Sequence, residues 1–121
     1  MKRLVLDIDN TICVTKDGDY LNSTPKKNVI EKINEYHKAG FEIVFFTSRN
    51  MKTHNKNVGK INAFTLPIII DWLNKNEIPF DEIHVGKPWC GTEGFYVDDK
   101  AIRPDEFIEL DYHQILEILD N

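Results

Sequence analysis

Three short apolar runs and one mixed segment in this chain each end on polar residues, and that pattern restricts the folds open to it more than any other feature. Arg3-Leu-Val-Leu-Asp-Ile-Asp9 stops at carboxylates, and Phe41 to Phe46 breaks off at Thr47-Ser48-Arg49-Asn50. Asp81 to Val85 runs into Gly86-Lys87, and Phe95 to Val97 ends at Asp98-Asp99. Runs of this length and composition read as buried strands whose C-terminal ends carry chemistry.

Helical patterns separate them. Ser23-Thr24-Pro25 offers an N-cap with proline at the first helical position, and Val29, Ile30, Ile33, Tyr36 and His37 then repeat on one face until Gly40. A polar stretch rich in Asn, Lys and Gly leads to Thr65-Leu-Pro67, where a second helix starts and runs through Ile69, Ile70, Trp72 and Leu73. A short helical segment near Pro104 to Ile108 and a helix across Tyr112 to Leu119 close the chain. Strands alternating with helices predict a mainly parallel, Rossmann-like sheet in a three-layer α/β/α sandwich. Between strand 1 and the first helix, Lys16-Asp-Gly-Asp19 is a turn signal separating Ile12-Cys-Val14 from Tyr20-Leu21. Residues 12–24 are therefore expected to form a small hairpin or flap, too short to be a domain.

At 121 residues the chain has the length of one domain, 1–121. Fifteen basic against twenty acidic side chains give a net charge of -5, which repels a phosphate backbone and argues against a general nucleic-acid or membrane-surface binder. No apolar run approaches the roughly 20 residues that span a bilayer, and no secretory signal forms before Asp7. Cys13 and Cys90 belong to no CxxC or Cys/His cluster, as expected of reduced thiols in a cytoplasm.

In a parallel sheet all C-terminal strand ends share one rim, and ligands bind there. Asp7 and Asp9, Thr47 and Ser48, Lys87, and Asp98 and Asp99 all fall at such ends. Taken singly, each reads as a helix cap, a solvated turn or a surface lysine. Taken together they aim carboxylates, hydroxyls and one ammonium at one place, and carboxylates that converge call for a positive partner. With oxygen ligands and no His or Cys in the set, that partner is a hard divalent cation, Mg²⁺ above Ca²⁺ or Mn²⁺. Mg²⁺, a lysine and a hydroxyl around a carboxylate make a cradle for a phosphoryl group.

These residues carry a resemblance to the haloacid dehalogenase-like hydrolases. Asp7-Ile-Asp9-Asn10-Thr11 resembles that superfamily's first motif, DxDxT, while Thr47 matches the second, Lys87 the third and Asp98-Asp99 the fourth, in order. Thr47-Ser-Arg-Asn-Met51, Asn57-Val-Gly-Lys-Ile61, Thr65-Leu-Pro67, Gly86-Lys-Pro-Trp89 and Tyr96-Val-Asp-Asp-Lys-Ala-Ile-Arg-Pro104 are similar to a small bacterial group of capsule or polysaccharide biosynthesis phosphatases. The resemblance implies a Mg²⁺-dependent phosphomonoester hydrolase acting on a sugar phosphate or phosphorylated glycan. Asp7 would be the nucleophile, Asp9 the general acid and base, Thr47 a donor to the phosphoryl group and Lys87 the charge that offsets it. Asp7, Asp9 through its backbone carbonyl and Asp98 would form the metal site, with Asp99 a further ligand or a residue that orients the ligands. Thr11 would brace the turn. Asn10, Ser48, Arg49 and Asn50 are the candidate substrate-binding residues.

Larger relatives carry a cap domain that this chain has no room for, so either the substrate is large or a neighbouring subunit of a homo-oligomer supplies a lid. Trp89 either packs or stacks on a sugar. Two alternatives remain open: a phosphosugar-binding protein of the same fold without turnover, and a phosphoreceiver-like signalling domain.

Overall fold

A computed structural model describes residues 2–120. The chain is a mixed α/β protein that divides into two compact units at the Trp89–Cys90 bond.

The first unit holds a parallel sheet of three strands, Arg3–Leu6 (β1), Glu42–Phe46 (β4) and Glu82–His84 (β5), in the order β1-β4-β5. Register sets Leu6 opposite Phe45 and Phe46 opposite His84. The buried side chains Ile43, Val44 and Phe45 make β4 the apolar centre of the sheet, as a central parallel strand requires. At the N-terminal rim Arg3 reaches Glu42 and Glu82 at 3.2 and 2.7 Å, tying the three strands by exposed ion pairs of small energetic weight.

Helix α1, Lys27–Lys38, buries Val29, Ile33 and Tyr36 of the expected face, while Ile30 is half-buried and His37 is exposed. It ends where Gly40 adopts φ +97, a left-handed conformation that lets the Gly40 and Phe41 N–H groups donate back to the His37 and Tyr36 carbonyls at 3.0 and 3.1 Å. Tyr36 then meets the Phe41 ring edge-on at 5.0 Å, joining the helix to the chain entering β4.

The flap departs from expectation in its pairing. Cys13–Val14 (β2) pairs antiparallel with Thr24–Pro25 (β3), not with Tyr20-Leu21, which lie in a 3-10 turn over Tyr20–Asn22. The expected cap of α1 is likewise displaced, because Ser23 and Thr24 have other partners. Ser23 Oγ is bonded to Thr15 Oγ1 at 2.7 Å, and its carbonyl accepts from Trp72 Nε1 at 2.9 Å. Thr24 and Pro25 are held in β3, so the helix starts two residues later, after Lys26.

The second helical run also begins earlier than expected. Asn57 caps Val58–Lys60 (α2), accepting the Lys60 N–H at 3.1 Å. A π-turn over Ile61–Thr65 then joins it to Leu66–Lys75 (α3). Pro67 thus lies inside a continuous helical run. Its missing N–H breaks the ordinary i to i−4 ladder, and the wider turn, with the Leu66 N–H donating to Ile61, accommodates the break.

The second unit contains helices Pro104–Glu109 (α4) and Tyr112–Leu119 (α5), close to the expected spans. Asp111 caps α5, accepting from the Gln114 N–H at 2.9 Å. Phe95–Val97 does not form the expected fourth strand among the described residues. A strand exists through its ladder, and among the described residues this unit has helices, turns and loops but no strand to pair with.

Trp72 is 3% exposed and its single donor holds the Ser23 carbonyl, so α3 and the flap share one buried hydrogen bond. Trp72→Phe leaves that carbonyl unpaired and is expected to cost about 1–3 kcal/mol. The loss is read as a lower melting temperature, with faster hydrogen exchange in residues 20–26 than in β4; equal acceleration in both would contradict a flap-specific tie.

Candidate functional site

Three parallel strand ends build the site. The Thr47 N–H donates to the His84 carbonyl at 2.9 Å, and the Lys87 N–H to the Thr47 carbonyl at 3.1 Å, so the ladder between β4 and β5 continues past both strands. Gly86, at φ +83, makes the turn that places Lys87, and a Cβ there would press to 3.2 Å of the Val58 side chain. The Lys87 Nζ lies 5.9 Å from the centre of the Phe46 ring.

The chain leaves strand geometry after Leu6, so Asp7 is the first residue beyond β1. The turn that follows closes on the Ile8 carbonyl, which accepts from the Thr11 and Ile12 N–H groups at 3.1 and 3.0 Å. Asn10 takes the left-handed conformation at φ 61, an arrangement that asparagine tolerates. Its carbonyl accepts from Lys26 Nζ at 3.1 Å and its side chain is exposed. This turn puts Asp7 and Asp9 on one loop, as division of labour between them would need.

Asp7 is partly buried. Burial raises its carboxyl above the ordinary value of 3.8, and the Asp9 charge adds to the rise. Lys87, a backbone hydrogen bond at Ile8 and Arg49 pull the other way without cancelling it.

Asp9 is held by Arg49 through a two-pronged ion pair. Nε donates to Oδ2 at 3.0 Å and Nη2 to Oδ1 at 2.9 Å. Oδ1 also accepts from Thr15 Oγ1 at 2.9 Å. Arg49 therefore lies beneath the surface, its side chain 1% exposed, rather than in a solvated loop. Tyr20 of the flap covers it, with the guanidinium carbon 4.3 Å from the ring centre. Arg49 Nη1 is buried and has no hydrogen-bond partner among the described residues.

The other loop residues serve local structure as well. Thr47 is 1% exposed, and its Oγ1 accepts from the Arg49 N–H at 3.0 Å. Ser48 is half-buried, and its carbonyl accepts from the Met51 N–H at 3.0 Å. Asn50 is left-handed at φ 61; its Oδ1 accepts from Thr65 Oγ1 at 2.8 Å and its Nδ2 donates to Thr53 at 3.3 Å. Trp89 is 47% exposed with Lys52 Nζ 5.9 Å from its ring centre. Cys13 lies under Asp9, its thiol pushed up by burial and then by that carboxylate, and both cysteines are free.

Asp98 and Asp99 belong to the second unit and are exposed; Asp98 Oδ1 accepts from the Lys100 N–H at 2.8 Å. Among the described residues no three His, Cys, Asp or Glu side chains gather as metal ligands. The Asp9 carboxylate is engaged by Arg49, which leaves, of the ligands that the resemblance implies within the first unit, the Asp7 carboxylate and the Asp9 backbone carbonyl. An all-oxygen set of one carboxylate and one carbonyl fits Mg²⁺, which retains waters and binds few protein groups.

Thr15, Tyr20 and Ser23 were not legible as site residues, since nothing local marks a flap side chain that reaches the strand ends. Among the described residues no helix is long and apolar enough to cross a membrane.

No protein-family model matches the chain, and no curated protein matches it. The chain is similar to a structural-genomics target from Vibrio cholerae of known crystal structure, with 52% identity and a TM-score of 0.97 over 99% of this chain and 98% of that one. Identity at that level across nearly the whole of both chains places this protein in one family with the Vibrio cholerae protein.

Proposed function

We propose that this chain is a Mg²⁺-dependent phosphomonoester hydrolase of the haloacid dehalogenase-like type, a capless three-layer sandwich acting on a sugar phosphate or phosphorylated glycan. The observation that carries this reading is the placement of Asp7. It is the first residue beyond β1, partly buried, on one loop with Asp9, and its charge is opposed by Lys87 from the end of β5.

Asp7 attacks phosphorus, the ester P–O bond breaks, and the leaving alkoxide takes a proton from Asp9. Water then attacks the aspartyl phosphate and gives a proton to Asp9, which restores Asp7 and releases phosphate. Lys87 offsets charge on Asp7 and the phosphoryl oxygens, and Thr47 supplies a hydroxyl and backbone dipoles beside them. Asp7 and the Asp9 carbonyl would hold Mg²⁺, with Asp98 and Asp99 the further ligands that the resemblance implies, and the ion would supply positive charge to the phosphoryl group. Both Asp9 oxygens accept from Arg49, so the acid role calls for one of those bonds to open and for the freed oxygen to take up a proton before the alkoxide leaves.

That same fork favours a second reading, a protein that holds a phosphosugar without turnover. The test is phosphate release from an aryl phosphate and a panel of sugar phosphates, with Mg²⁺ and after chelation. Release that needs Mg²⁺ is expected. Saturable binding of a sugar phosphate with no release from any member of the panel would replace the hydrolase with the binder.

A further inference from the structure

Arg49 has more hydrogen-bonding capacity than Asp9 consumes. A guanidinium carries five N–H donors in a planar fork. Nε and Nη2 are engaged at 3.0 and 2.9 Å, while Nη1 is sealed from solvent and meets no acceptor among the described residues. A buried donor on a charged group is costly to leave bare, so the arrangement favours any event that brings an acceptor oxygen to Nη1.

The base of the flap is fixed by the buried Ile12 and Cys13 and by the β2–β3 pairing. Beyond that base Tyr20 sits in the 3-10 turn, and polar links lie near it: Thr15 to Asp9, Thr15 to Ser23, and Trp72 to the Ser23 carbonyl. Lifting that turn uncovers a planar cation edge and an aromatic face together.

Charge narrows what would enter. Asp7, Asp9, Lys87 and Arg49 cancel in formal charge, and the Arg49 cation is already matched by a carboxylate at 2.9 Å. A second phosphate dianion therefore gains little there, whereas a neutral hydroxyl oxygen can accept from Nη1 without adding repulsion from the carboxylates. An aromatic face beside a planar donor suits a ring that has C–H groups on its faces and hydroxyls on its rim.

Resting on the phosphomonoesterase reading, we propose that Arg49 and Tyr20 form the leaving-group subsite, in which Arg49 Nη1 donates to a hydroxyl oxygen of a sugar and the Tyr20 ring packs against that sugar when the flap recloses. Arg49 is then a specificity-determining residue, and the buried bare donor is the subsite without its ligand's oxygen.

The test is calorimetric binding with Mg²⁺ in an Asp7→Asn background, which holds ligand without consuming it. The probes are inorganic phosphate, phenyl phosphate and a panel of hexose 1- and 6-phosphates. At least one hexose phosphate is expected to bind tenfold or more tighter than both inorganic and phenyl phosphate. That gain is expected to fall below threefold in Arg49→Lys, which keeps the charge and loses the fork, and in Tyr20→Ala, which leaves the ion pair in place should Arg49→Lys fold poorly. No gain for any hexose phosphate in the parent overturns the subsite, as does a gain that survives in both variants. Failure of every probe to bind removes the phosphomonoesterase reading along with it; binding of inorganic phosphate without the gain removes the subsite alone.

Discussion

Asp7→Asn is expected to lose phosphate release by about 10⁴-fold or more while melting at a higher temperature than the wild-type protein. The first half follows from its role, because an amide does not form the phosphoryl ester on which the proposed two-step reaction depends. The second follows from burial. Asp7 is held with its carboxyl raised above 3.8, burial being the largest cause, so the folded chain binds that proton more tightly than the unfolded chain does. Stability from this group is greatest below the unfolded value and falls as pH rises from about 3.8 through the raised folded value. At neutral pH the full penalty of a buried carboxylate is present. Asparagine has no such charge, so the variant's advantage should be largest near pH 7 and close as pH falls below the window. Melting curves with a chelator present, which removes any cation that would offset the charge, measure this directly. A variant that melts lower than wild type at pH 7, or that still releases phosphate at a tenth of the wild-type rate, would contradict the assignment. Activity lost together with stability gained is the pattern of a group kept strained for chemistry.

The sequence disclosed the sheet better than the flap, for a physical reason. Strands β1 and β4 are mostly apolar, β5 is a short mixed Glu-Ile-His segment, and the ends of all three are marked by the residues that follow, so Asp7, Thr47 and Lys87 could be put at strand ends from local pattern. Helices α4 and α5 were legible because proline and acidic caps mark their starts. Pro67 misled, since a proline read as a helix start stands within a run that a π-turn keeps continuous. The burial of Arg49 had no local signal at all: its partner is 40 residues away, and an arginine in a polar stretch reads as solvated. The clue that was present is relational. Asp9 stands two residues past Asp7, Arg49 stands two past Thr47, and their strands are adjacent and parallel. Opposite charges at equal depth beyond neighbouring strand ends are placed to meet.

That relation sets the second large effect. Arg49→Met removes the fork from Asp9 and the cation from beneath Tyr20, leaving a carboxylate in a place shaped for a pair. Breaking a fully buried ion pair from one side costs about 3–5 kcal/mol. Because the Asp9 side chain is 24% exposed and water can reach part of the stranded charge, the expected loss is smaller, about 2–3 kcal/mol. For a domain of this size that is a fall of roughly 10 °C in melting temperature. Most of the cost is the penalty of the unpaired Asp9 rather than the worth of the pair. The double variant Asp9→Leu/Arg49→Met should therefore melt close to wild type, above Arg49→Met alone, although it would lack the proposed acid and the proposed subsite. Raising NaCl from 0.1 to 1 M should narrow the gap between wild type and Arg49→Met only slightly, as expected of charges shielded from mobile ions. If the double variant instead falls by the sum of the two single losses, Asp9 and Arg49 act independently. The fork would then be a contact without consequence for how the flap and the strand ends hold together.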